Sequence, residues 1–248
     1  MFKYKKAEIA TYLILIFFTV LFSALLLANG YPAWFLFASA VVLAPCGAML
    51  AVIFSKNRML ALSEKYLAEE DYEKLDALAA KKEDKYFFLK IYRIDSLLER
   101  GEGEKFAAEY AAYADKHRLA KDWLFRLEAY KAFYELLKNG EIAFRNVYRL
   151  ESEIAAEEVE KERCICKILG YVVKKDYDRA VKQIGWYDRT GQSRFLGFMY
   201  DYACCLVSLA VSEDAAPSLA DLKESAYNGL LKAGADRIEE VYEKTRTE

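Results

Sequence analysis

IATYLILIFFTVLFSALLLA (residues 9–28), NGYP (29–32) and AWFLFASAVVLAPCGAMLAVIF (33–54) follow one another without a single charged side chain. Each apolar run meets the length of about 20 residues that a helix needs to cross a bilayer. Four residues between them hold no domain, so the runs read as a hairpin whose two ends lie on the same side of a membrane. Lys3, Lys5 and Lys6 precede the first run, Lys56, Arg58 and Lys65 follow the second, and the turn carries no basic residue. The positive-inside rule then predicts a two-pass protein of a bacterial-type inner (cytoplasmic) membrane, with both termini cytoplasmic. The expected order is a basic N-terminus (1–8), transmembrane helix 1 (9–28), an external turn (29–32), transmembrane helix 2 (33–54) and a cytoplasmic domain (57–248). A cleaved signal peptide is the competing reading of the first run. Its apolar region exceeds the usual length of about 7–15 residues, and Leu27-Ala28-Asn29 lacks a small-residue cleavage pattern.

Ala40, Ala44 and Ala48 recur every fourth residue on the second run, with Gly47 beside them. Such a ridge lets helix backbones approach closely in lipid, where apolar attraction no longer drives association. Thr19 and Ser23 are the expected facing positions on the first run, and Pro45 with Gly47 is the expected site of a kink. Tyr12, Tyr31 and Trp34 suit the interfacial aromatic belt. No intramembrane charge marks a conducting pathway, so the hairpin reads as an anchor, with homo-oligomer formation through it left open.

Residues 1–8 carry three Lys and one Glu and residues 9–55 no charge, leaving 33 basic against 37 acidic side chains, net −4, in the remainder. That balance gives a mixed, soluble surface without the basic excess that favours nucleic acid. Beyond the hairpin the only proline is Pro217, strand-like alternation is missing, and apolar residues recur at helical spacing. Phe87, Ile91, Ile94 and Leu98 make one stripe; Leu124, Leu127, Tyr130, Tyr134 and Leu137 make another. Gly101, Gly103, Gly140 and Gly191 read as breaks. Ser218 with Asp221 reads as the N-cap of a late helix, and residues 235–244 as a last helix.

Met59-x-x-Leu62-Ser63-x-x-Tyr66 resembles the first-helix half of a tetratricopeptide repeat, and Tyr171-x5-Tyr177-x2-Ala180-x3-Ile184 resembles its crossing into the second helix. Aligning the tyrosine position gives Tyr66, Leu98, Tyr134 and Tyr171, with Leu75, Ala107, Ala143 and Ala180 nine residues after each. The intervals of 32, 36 and 37 residues scatter around the roughly 34 of a regular array. No unit carries the full pattern, and Gln192 stands where the last would close with proline. The resemblance implies an all-α protein: the hairpin followed by an α-solenoid of antiparallel helix pairs that binds a cytoplasmic protein or peptide along its concave side. A generic helical bundle is the alternative.

Catalytic chemistry finds few candidates. His117 is the sole histidine and sits in Asp115-Lys116-His117-Arg118 with no nucleophile beside it. Cys164/Cys166 and Cys204/Cys205 have the wrong spacing for a zinc loop, and with Cys46 they read as small apolar residues. Glu151, Glu153, Glu157, Glu158, Glu160 and Glu162 read as a solvated helix face, with Lys161 paired to Glu157. No Gly-rich phosphate loop occurs. Tyr92, Tyr110, Tyr113, Tyr130 and Tyr148 are candidates for a peptide groove. These observations lead to the expectation of a membrane-anchored scaffold or adaptor without catalysis, cofactor or metal. The alternative is a membrane-active effector whose hairpin oligomerises under control of the helical domain.

Overall fold

The computed structural model describes residues 17, 20, 24, 28–30, 34–114, 121–141, 147, 159–211 and 215–247. Among them there is no strand, and the helices run α1 Trp34–Ala68, α2 Tyr72–Lys82, α3 Phe87–Glu99, α4 Gly103–Ala114, α5 Lys121–Asn139, α6 Glu160–Val173, α7 Tyr177–Gly185, α8 Arg194–Val211, α9 Ala216–Ser225 and α10 Gly229–Thr247. Two compact units divide the chain, residues 1–62 and 63–248.

In the first unit, α1 passes Pro45 and the expected linker at 55–57 without a break. Ala40, Ala44, Gly47 and Ala48 all lie on α1; Gly47 is exposed, and nothing lies within 4 Å of the position its Cβ would take. Thr19 and Ser23 fall outside the described residues. Met49, Val52 and Phe54 are exposed apolar side chains. The one described helix that meets a spanning length and hydropathy is α8, in the other unit. It is a core helix there, with Phe195, Phe198, Met199 and Tyr202 buried.

In the second unit one turn geometry recurs. Glu70, Gly101, Gly140 and Lys175 all have positive φ, and each follows the last turn of a helix. Asp71 N–H donates to Tyr66 O, Glu102 N–H to Leu97 O and Asp176 N–H to Tyr171 O, the six-to-one bond of a Schellman turn. Asp71 and Asp176 then cap the next helix, accepting from the backbone N–H of Lys74 and Arg179. These bonds shift the alignment drawn from sequence. By turn position, the residues that correspond to Tyr66 and Leu75 around Gly101 are Leu97 and Phe106, one earlier than Leu98 and Ala107. Around Gly140 the residue that corresponds to Tyr66 is Leu136, two later than Tyr134.

Further boundaries also move, each for a local reason. Gly103 is no break: it is the buried first residue of α4, and a Cβ there would stand 2.4 Å from Tyr134 Cε2. The late helix α9 opens at Ala216 with Pro217 in its first turn, where the missing N–H costs nothing. Ser218 bonds Ser208 across to α8 at 3.0 Å and does not cap. Asn228 does cap, accepting from Leu231 N–H at 3.0 Å, and so starts the last helix at Gly229, ahead of residue 235.

Consecutive helices pack on one another from α2 through α10, and α3, α5, α6 and α8 form the centre. Apolar side chains face several neighbours, so α5 is buried on most of its circumference. An open solenoid would touch only adjacent units. Here α8 also meets α3, and α10 lies along α5. Asn228 Nδ2 donates to the carbonyls of Leu98 and Glu99 at the end of α3, and the Arg237 guanidinium donates to those of Leu136, Leu137 and Lys138 at the end of α5. Carbonyls at the ends of the early helices thus draw the late helices back onto them.

Candidate functional site

At the crossing of α3, α5 and α6, the Arg126 guanidinium is almost wholly buried. A buried charge persists only when paired and hydrogen-bonded, because leaving water costs several kcal/mol per ion. Nε donates to Asp95 Oδ2 at 2.6 Å, Nη1 lies 3.0 Å from Glu162 Oε1, and Nη2 donates to the Tyr130 hydroxyl at 3.4 Å. Its carbon centre stands 4.7 Å from the Tyr92 ring and 5.2 Å from the Tyr130 ring, within cation–π range. Burial disfavours the arginine charge, but Glu162, Tyr130 and Asp95 outweigh it and hold the guanidinium well above its ordinary pKa.

One turn further along α3 lies Glu99, also buried. Its Oε2 accepts from Phe195 N–H at 2.9 Å and from the Tyr227 hydroxyl at 2.7 Å. Phe195 in turn stacks on Tyr130, with centroids 5.4 Å apart. The two acidic centres are therefore joined through one aromatic contact. Burial pushes the Asp95 carboxyl up to about 6 against the pull of Arg126, and pushes Glu99 up to about 7 against its hydrogen bonds. Among the described residues, Asp95 Oδ1 and Glu99 Oε1 are buried without a hydrogen-bond partner. Chemically, the cluster can hold a fixed positive charge and exchange protons at two carboxyls in the near-neutral range.

Sequence patterning does not single these residues out. Arg126 stands between Phe125 and Leu127, and Asp95 and Glu99 are four apart beside the apolar stripe of α3. That i,i+4 pair of acids next to a buried stripe is the one available signal. Glu162 corrects the reading of the acidic run as solvated: its side chain is buried against Arg126. Lys161 donates to the Thr190 carbonyl; Glu157 and the run at 151–158 lie outside the described residues.

Four tyrosines proposed for a groove, Tyr92, Tyr110, Tyr113 and Tyr130, are buried, with hydroxyls bonded to Glu64, Glu128, the Phe87 carbonyl and Arg126. They fill space between helices and do not line an open cleft. Tyr148, His117 and Ala143 are outside the described residues. Of the positions aligned as repeat contacts, Leu75, Leu98, Tyr134 and Ala180 are buried, and Ala107 and Tyr171 pack partly buried against the core. Leu62 and Tyr66 are half-buried on α1. Phe87, placed in the first stripe, is 40 % exposed because it begins α3.

Cys166 and Cys205 are buried thiols, and Cys164 accepts from Gln183 Nε2 at 3.1 Å. Burial raises Cys204 and Cys205 to about 11, which keeps both protonated at neutral pH. No three potential ligands gather as a metal cluster among the described residues. No known protein family, no curated protein and no solved structure matches the chain.

Proposed function

We propose that this chain is a membrane-anchored scaffold or adaptor. Its apolar hairpin sits in a bacterial-type inner membrane with both termini cytoplasmic, and residues 57–248 form a tetratricopeptide-like helical array that binds a cytoplasmic protein or peptide without catalysis. The observation carrying this reading is the turn that recurs after four helices, with positive φ at Glu70, Gly101, Gly140 and Lys175. A repeated helix–turn–helix unit stacks on its neighbours and builds an extended surface, whose concave side is the usual means by which such arrays recognise partners. Because α8 and α10 fold back onto α3 and α5, the recognition surface in this reading is the outer face and rim of the array, with the inner tyrosines serving as core.

The test is proximity labelling from the C-terminus of the full chain, compared with a fusion carrying residues 1–62 alone. A reproducible cytoplasmic protein labelled only by the full chain supports an adaptor. Identical labelled sets from both fusions, meaning neighbours supplied by the membrane alone, would overturn it.

A further inference from the structure

The geometry points to a second contact with the membrane, in which the outward face of α7 docks on an anionic bilayer surface. This inference deepens the anchored-scaffold reading and rests on it for proximity to lipid. Helix α7 is strongly two-sided. Ala180 is fully buried, Ile184 and Tyr187 pack against the core, and Val181, Lys182 and Trp186 point away from it. Trp186, which ends the helix as its C-cap, is 78 % exposed, and Val173 and Val181 are 54 % and 50 % exposed.

A solvent-exposed indole on the same helix as an exposed valine is costly in water, since apolar area loses about 25 cal/mol per Å² when left hydrated. The charge along the helix names the occupant. From Val173 to Trp186 the chain carries Lys174, Lys175, Arg179 and Lys182 against Asp176 and Asp178, net +2, within a soluble portion of net −4. Asp176 is already engaged as the N-cap of α7 and pairs with Arg179 at 3.4 Å. Lys182 lies one turn before the tryptophan, and Lys174 and Lys175 stand ahead of the opposite end of α7. Trp and apolar side chains seated at headgroup depth, with Lys heads reaching anionic phosphates, is the composition of an interfacial amphipathic helix. Each basic residue adds attraction to an anionic leaflet, falling off within a Debye length. An indole at the end of a short helix presents an apolar body and one N–H donor, which suits the bilayer interface.

The experiment uses the full chain reconstituted in vesicles of zwitterionic lipid, or of the same lipid with about a third phosphatidylglycerol, each with lipids brominated near the headgroup. The Trp186 signal is the difference in fluorescence between the wild type and Trp186→Phe. A Lys174→Glu/Lys182→Glu variant retains the indole as reporter, and circular dichroism checks its helicity. A carbonate wash reports separately on the hairpin. The expected result is Trp186 quenching in anionic vesicles at low salt, roughly tenfold weaker or less in zwitterionic vesicles, at high salt or in the charge-reversal variant. Absent or lipid-independent quenching in a chain that survives the wash overturns the α7 contact and leaves the anchor reading standing. Charge-dependent quenching in a chain removed by the wash supports the α7 contact and overturns the anchor. Loss of both overturns both.

Discussion

The backbone N–H of Phe195 donates to Oε2 of Glu99 at 2.9 Å, joining residues 96 apart in sequence. The bond ties the first turn of α8 to the last turn of α3, and the Tyr227 hydroxyl closes on the same oxygen from the segment before α10. Local turns account for the pairing of adjacent helices. Contacts of this long-range kind account for the return of the late helices onto the early ones, and these two converge on one buried carboxyl.

That convergence makes stability depend on the protonation of Glu99. Burial raises its pKa to about 7 from an ordinary 4.5, so the folded state binds the proton more tightly than the unfolded chain. Its contribution is fully present below about pH 4.5 and is lost as pH rises through about 7. The shift corresponds to about 3 kcal/mol across that window. In Glu99→Gln the group no longer titrates. The expected outcome is a urea midpoint that falls less between pH 5 and pH 8 than the wild type's; equal slopes would show that Glu99 does not titrate in this range.

Arg126 holds Asp95 and Glu162 in a space that water does not reach. Replacing it with Met leaves two buried carboxylates uncompensated, which costs about 3–5 kcal/mol when one partner of a buried pair is removed. The loss is expected to be largest at pH 8 and smaller at pH 5, where Asp95, raised to about 6, takes up a proton. Adding Asp95→Asn to Arg126→Met should recover part of the loss. A double-mutant cycle in chemical denaturation measures this coupling, and strict additivity of the two substitutions would contradict the ion pair.

The all-α character was legible because helix periodicity acts locally: Ile91, Ile94 and Leu98 on α3, and Leu127, Tyr130, Tyr134 and Leu137 on α5, are buried as their spacing predicts. Register was less legible. Leu97 and Leu98 are adjacent and both apolar, so composition could not separate them; the backbone bond from Glu102 to Leu97 does. Gly103 looked like a turn residue because the sequence carries no record of Tyr134 lying against it. The buried cluster was hidden for a related reason. Glu162 closes an acidic run, and only the tertiary approach of Arg126 distinguishes it from its neighbours.

Lys175 occupies the left-handed region at φ 56, where a Cβ crowds the following carbonyl. Glycine avoids that crowding and is the common residue at this position of a helix C-terminus. Lys175→Gly is expected to stabilise the protein by about 0.5–1 kcal/mol, the strain relieved exceeding glycine's larger backbone entropy in the unfolded chain. For a domain of this size the rise in Tm is about 1–4 °C. Thermal unfolding measures it, and a lowered Tm would show that the lysine side chain contributes more than its backbone strain costs.

Asn228 serves two helices at once. Its Oδ1 accepts from Leu231 N–H at 3.0 Å to start α10, while its Nδ2 donates to the carbonyls of Glu99 at 3.2 Å and Leu98 at 3.4 Å, at the end of α3. Asp is ordinarily as good an N-cap as Asn, so a role confined to α10 predicts that Asn228→Asp is nearly neutral and Asn228→Ala costs about 1 kcal/mol. The double role predicts a different order. Aspartate keeps the cap on α10 but has no donor for α3, and its charge faces the negative end of that helix dipole and the buried Glu99 carboxyl. Asn228→Asp should therefore be at least as destabilising as Asn228→Ala at pH 7, and should improve relative to it as the pH falls and Glu99 takes up a proton. Denaturation of the two variants at pH 7 and pH 5 decides between the orders, because a single-helix cap leaves the aspartate variant the more stable at neutral pH.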